Sequence, residues 1–148
     1  MRHVRNFEEF IEDGIIKKQA PDKSRANFLA GESEKSYTFL LEITGHYGIT
    51  GQNANTIIKL SYDVIMELIR ACMLKVGYNA SGQGAHEAEV SYLRKIAFKE
   101  TDIQFADQMR YFRNGITYYG KPLDDEYAKK VFEFMSKIYP KLKEAAKS

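Results

Sequence analysis

Apolar residues recur at three- and four-residue intervals along most of the chain. Glycine, proline and asparagine clusters cut that rhythm into about six helical segments. The first is short, around Phe7 to Lys18. Pro21 and Asp22 suit the start of the second, by a fixed φ and a side-chain oxygen for a free amide. Its apolar positions Ala26, Leu29, Tyr37, Leu40 and Leu41 predict a helix ending at a left-handed Gly45. Tyr37, Phe39, Leu41 and Ile43 also alternate with the period of a strand, but the length of the helical pattern before them favours helix.

The third segment, capped by Asn53 or Asn55, has the strongest periodicity. Ile57, Leu60, Val64, Leu68 and Ala71 form one stripe, and Ile58, Tyr62, Ile65, Met66, Ile69, Met73 and Val76 a second. Only the line Lys59, Asp63, Glu67 and Arg70 is polar. A helix apolar on two sides is either the centre of a bundle or packs on its own core and a second subunit. Gly77 is predicted to end it, with Tyr78 against Met73. A fourth helix is expected from about His86 to Phe98. A fifth opens on a capping box of Thr101 and Gln104, buries Phe105, Met109, Phe112, Ile116 and Tyr119, and closes at Gly120 and Pro122. The sixth starts at Asp124 and faces Ala128, Val131, Phe132, Met135, Ile138, Tyr139 and Leu142 inward. Short connections between long helices imply antiparallel neighbours. The expected fold is all-α, an antiparallel four-helix up-and-down bundle with one or two additional short helices. It is expected as a single domain over 1–148, with a short N-terminal helix in 1–20 and a core over about 21–147.

Length and composition narrow the function classes. A chain of 148 residues can bury a proper core without staples. The lone Cys72 forms no internal disulfide, which favours a reducing, cytoplasmic setting. The N-terminal MRHVRNFEEF lacks the apolar run of a signal peptide. VIMELIRACML is cut by Glu67 and Arg70, which excludes a membrane span. The formal net charge of +2 points to nucleic acid only if it is locally clustered.

Several attractive motifs fail on spacing. SGQGAHE lacks the strand of a dinucleotide fold and the GKS/T of a phosphate loop, and reads as a turn. His3, His46 and His86 are scattered, so no metal site and no cofactor are expected; His86 reads as a capping or packing residue. Cys72 reads as a buried small hydrophobe. One stretch does stand out. From Arg110 to Lys121 there is no acid, and Arg110, Arg113 and Lys121 are interleaved with Tyr111, Phe112, Tyr118 and Tyr119. Arg110, Arg113, Asn114 and Thr117 share one helix face, roughly opposite the core stripe. Guanidinium groups suit phosphate and tyrosine rings stack on unpaired bases, so the stretch is a candidate nucleotide or RNA contact. The alternative pairs its arginines with Asp63 and Glu67 of the third helix, as structural support.

These residues resemble the HEPN family of small all-helical domains. The resemblance covers about Pro21 to the C-terminus: RANFLAGESEKSYTFLLEI is similar to the first long core helix, the helix ending in GYNASGQGAHE to the central one, and RNGITYYG to the hallmark Arg, often Arg-Asn, followed after four to six residues by His. It implies an antiparallel four-helix core, usually dimeric, with the hallmark arginines lining a shared cleft. It also implies metal-independent RNA cleavage or pairing with a small nucleotidyltransferase as toxin and antitoxin. Arg113 matches the hallmark Arg and Asn114 its neighbour, while Tyr118 stands where the His belongs. A phenol of pKa about 10 is a poor proton acceptor at neutral pH beside an imidazole of about 6.5. The expectation is therefore a dimeric nucleotide- or RNA-binding module, or a transferase partner, with Tyr118 or Tyr119 as a possible acceptor of modification. The alternatives are an endoribonuclease using Arg113 and Tyr118, with His46 or His86 arriving from elsewhere in a dimer, and a purely structural protein associating through the second stripe of the third helix.

Overall fold

The computed structural model describes residues 3–119 and 124–147, with the side chains of 116–119 outside that description. It is predominantly helical, with a single two-stranded sheet among the described residues. In chain order it comprises α1 (Phe7–Glu12), β1 (Ile16–Lys18), α2 (Lys23–Tyr47), α3 (Ala54–Val76), β2 (Tyr78–Ala80), α4 (Ala85–Ser91), a 3-10 segment (Tyr92–Ile96), α5 (Glu100–Tyr119) and α6 (Asp125–Lys147).

Helix α3 is the centre of the molecule. Fourteen of its 23 residues are buried, drawn from both apolar stripes. It packs chiefly against α2 and α6, and also against α5 and α4. The two-sided apolar pattern is thus satisfied within one chain: Ile58, Ile65, Met66, Ile69 and Met73 of the second stripe are at most 2% exposed, and only Val76 at its end is open. A partner subunit is not needed to cover it. Cys72 is buried among them, as expected, and burial pushes its thiol up to about 11.

Local chemistry explains the helix ends. The Asp22 carboxylate accepts from the Arg25 amide at 3.0 Å, and Asp124 does the same for Tyr127 at 2.9 Å, so both expected starts hold. The second helix does not stop at Gly45. A glycine inside a helix costs only about 1 kcal/mol, and the turn is taken three residues later by Gly48 at φ 68°. The strand alternative for SYTFLLEIT is overturned by the same helix.

Three expectations need correction. The first helix ends at Glu12, not Lys18, because Gly14 turns the chain at φ 77° and Ile16–Lys18 pairs antiparallel with Tyr78–Ala80. Gly77 closes that junction at φ 94°: its carbonyl accepts from the Gln19 amide at 2.8 Å, and a Cβ there would stand 2.5 Å from the Gln19 carbonyl oxygen. Tyr78 consequently packs edge-on against Phe7 at 5.1 Å. The fourth helix breaks into α4 and the 3-10 segment and stops at Ala97, which adopts φ 65°. Arg94 fixes this break, donating to the carbonyls of Val4 and Arg5 and to the Glu100 carboxylate. Finally, α5 begins at Glu100, and the Lys99 carbonyl accepts its first amides, so Thr101 lies inside the first turn and not at the cap. The closing Gly120 and Pro122 lie outside the described residues.

No helix among the described residues is long and apolar enough to cross a membrane.

Candidate functional site

Three elements converge along α3's polar line. Asp63, Glu67 and Arg70 project from α3 at helical spacing, with Tyr62 beside them on its apolar flank; α4 adds His86 and Glu89, and α5 adds Asp107, Arg110, Arg113 and Asn114. The described part of the α5 stripe turns inward, with Met109 buried and Phe105 4.5 Å from Phe134. Its arginines do not stand out in solvent opposite that stripe, as the spacing suggested. The side chains of Arg110 and Arg113 are only 17% and 23% exposed and lie against the α3 and α4 side.

Two of the three arginines are committed. Arg70 Nε donates to Glu89 Oε2 at 2.7 Å, inside the fold, with the Glu89 side chain 5% exposed. Arg110 Nε donates to Asp107 Oδ1 at 2.8 Å, one turn back on its own helix, and not to the α3 line. Arg113 is different. Its closest carboxylate, Asp63 Oδ1, stands 3.8 Å from Nη2, beyond hydrogen-bond distance, and its buried Nε has no hydrogen-bond partner. Its guanidinium lies 5.7 Å from the centre of the Tyr62 ring, within cation–π range. The structural pairing expected of Asp63 is therefore present but loose. Glu67 is half-buried; burial first, and then the neighbouring charge of Asp63, raise its carboxyl above the usual range. Burial raises Asp63 as well, opposed by Arg113.

Spacing offered His86 only as a capping or packing residue, or as a histidine arriving from elsewhere in a dimer, and did not place it beside Arg113 within one chain. Its Nδ1 is 3.4 Å from the hydroxyl of Tyr62, whose ring Arg113 faces, so imidazole, phenol and guanidinium form one chain of contacts within a single molecule. Burial first, and then the positive charge of Arg70, Arg113 and Arg110, hold His86 below the ordinary imidazole value. Burial drives the Tyr62 hydroxyl up, so it stays protonated and can either donate to His86 Nδ1 or accept from it, according to the imidazole tautomer. Neutral His86 is thus the proton acceptor of this group near neutral pH. By NMR titration of the imidazole, His86 is expected below 6.5, and Arg113→Ala is expected to move it upward by removing a repelling cation. A wild-type value at or above 6.5 contradicts this electrostatic picture.

Asn114 follows Arg113 on α5 and is half-buried. The side chains of Thr117, Tyr118 and Tyr119, and all of Lys121, lie outside the described residues, so their expected roles have no geometry here. His46 stands at the far end of α2, its ring 6.4 Å from that of Tyr47. Among the described residues no three His, Cys, Asp or Glu side chains converge in a way that could hold a metal. Compared with protein-family models, with curated proteins and with solved structures, the chain finds no match in any of the three.

Proposed function

We propose that this protein is a cytoplasmic, dimeric HEPN-like module, an antiparallel four-helix bundle that binds the phosphate of a nucleotide or of single-stranded RNA through Arg113. The same surface serves if its partner is a minimal nucleotidyltransferase presenting a nucleotide. One observation carries the reading: Arg113 is partly buried, beside Tyr62, with an unpartnered Nε and its closest carboxylate 3.8 Å away. A phosphate can take two parallel N–H donors from a guanidinium, here from the Nη groups because Nε is enclosed, which a carboxylate 3.8 Å away does not. Asn114, next along α5, adds a half-buried amide close to Arg113.

Fluorescence anisotropy with labelled single-stranded RNA and with nucleoside triphosphates tests the proposal. Loss of a charge-assisted contact of about 1.5–3 kcal/mol predicts binding about 10- to 100-fold weaker for Arg113→Ala than for the wild type. Equal, negligible binding by both proteins reduces Arg113 to a structural arginine and overturns the proposal.

A second reading, metal-independent endoribonuclease, gains from the position of His86. In that reaction His86, its Nδ1–H donated to the Tyr62 hydroxyl, takes the proton of a ribose 2′-hydroxyl at Nε2; the 2′-oxygen bonds to phosphorus, the bond from phosphorus to the 5′-oxygen breaks, and the leaving 5′-oxygen takes a proton from water, while Arg113 holds the phosphate. Cleavage that survives chelator and is abolished by both Arg113→Ala and His86→Ala supports it. Cleavage persisting in either variant rejects this assignment.

A further inference from the structure

Helix α2 carries a second pattern on the side that the core does not use. Ala26, Ser33 and Leu40 are its buried residues. Toward solvent stand Phe28, Lys35, Phe39 and Glu42, with Arg25 and Glu32 on the edge nearer α3, where Arg25 borders a cleft with Arg70 and Leu74; the six are spaced by three, four, three, four and three residues, the 3.5-residue repeat of a helix-pairing seam. Phe28 and Phe39 are 64% and 52% exposed, and a shallow groove along Lys35, Thr38, Phe39 and Glu42 lies open beside them. Large apolar side chains held in water at fixed spacing on an ordered helix mark an interaction surface.

The order of residues along this seam indicates its occupant. It is symmetric about the point between Ser33 and Glu34. Laid antiparallel on a second copy of itself, Phe28 meets Phe39 of the copy, Glu32 meets Lys35, and Arg25 meets Glu42; the two-fold axis repeats each contact. Both aromatic contacts and all four charge contacts are complementary, which is the requirement of an isologous interface. A parallel pairing in register would place every charge against its own kind. We infer that the outer face of α2 is the dimer surface of this protein, and that it takes a second copy of the same chain antiparallel in this register. The inference deepens the dimeric part of the proposed function and names the surface that performs it. Glu32 and Lys35 already approach to 3.2 Å within one helix, so the central contact in the dimer is a four-charge network and not two isolated pairs. With only Phe28 and Phe39 apolar, and a helix stretch about 27 Å long, the interface falls below the standard size. The dimer is accordingly weak, and its polar seam positions serve register more than affinity.

Sedimentation of the full chain across the micromolar range tests the assignment. The wild type is expected to pass from monomer to dimer with concentration. Glu42→Arg and Arg25→Glu are each expected to lose the dimer by placing like charges together, and the double exchange R25E/E42R to regain it. Positions 25 and 42 are about 26 Å apart along one helix, so recovery can arise only between chains. A mixture of Phe28→Cys and Phe39→Cys chains is expected to cross-link under oxidation, and neither variant alone. A wild-type dimer indifferent to Glu42→Arg, or not regained by the double exchange, overturns the α2 surface and leaves a dimer elsewhere. A chain monomeric throughout overturns both this surface and the dimeric reading, while RNA and nucleotide binding remain separately measurable.

Discussion

Arg70→Ala is expected to destabilise the protein by about 3 kcal/mol at neutral pH, towards the lower end for a broken buried ion pair because Arg70 is partly exposed. The cost comes from what is left behind. Glu89 is 4% exposed, its Oε1 already lacks a partner, and Arg70 supplies the 2.7 Å hydrogen bond to the other oxygen. Burial raises the Glu89 carboxyl even with Arg70 present. Without the arginine it rises further, so the folded state either holds a bare carboxylate or takes up a proton. The sign of the pH dependence follows. Below the ordinary glutamate pKa of about 4.3 both folded and unfolded states are protonated, and the penalty for ionisation disappears. Denaturant unfolding of wild type and variant should therefore show a gap that is widest at pH 7–8 and shrinks as the pH falls toward 5. A gap constant with pH would mean that Arg70 acts through packing alone. Replacing both partners by apolar residues should recover much of the loss, because the buried charge is then absent.

Ile69→Ala is expected to cost about 2–5 kcal/mol, the range for truncating a fully enclosed aliphatic side chain. Ile69 is 0% exposed and belongs to the second stripe of α3, the one whose sequence pattern also allowed a subunit interface. Since the chain itself covers that stripe, the loss should appear in the unfolding of the monomer and be independent of protein concentration. An unfolding midpoint shift of about 2–4 °C per kcal/mol is expected for a domain of this size. If Ile69→Ala left monomer stability unchanged and only weakened association, the stripe would be an interface, and the packing of α3 against α2 and α6 would be wrong.

These two residues also mark how far the sequence could be read. Ile69 was legible: an apolar residue in an unbroken 3.6-residue rhythm belongs in a core whatever the rest of the chain does. The number of covered sides was not, because a stripe does not say whether its partner is another helix of the same chain or of a second one. Arg70 was legible only as part of a polar line. Its partner, 19 residues away on a short helix, depends on where the junction after Gly77 directs the chain, and no spacing rule reaches across it. The clip between β1 and β2 is a further case. Three-residue strands carry too little alternation to be seen, and they form because Gly14 and Gly77 bring two distant segments side by side.

The candidate site divides in the same way. Arg113 was visible as an arginine in an acid-free, aromatic stretch, and Asp63 as a carboxylate on the polar line that could meet it. Their distance of 3.8 Å, too long to satisfy the arginine, is a matter of packing between α3 and α5. His86 looked like a capping residue, because a histidine alone in sequence has no visible relation to Arg113, 27 residues on.

By itself, then, the sequence determined what depends on local periodicity and local hydrogen bonding: a predominantly helical chain, starts at Asp22 and Asp124, a left-handed stop at Gly77, the dominance of α3, and a cationic aromatic segment around Arg113. The symmetric seam of α2 was also written there, but only the fold shows which face of that helix stays uncovered. Tertiary structure alone decided the rest: Glu89 beneath Arg70, His86 against Tyr62, and an arginine with a donor to spare. The physical reason is range. Backbone geometry repeats over three or four residues and can be read in order, whereas charge pairing, burial and proton affinity are set by neighbours that only folding brings together.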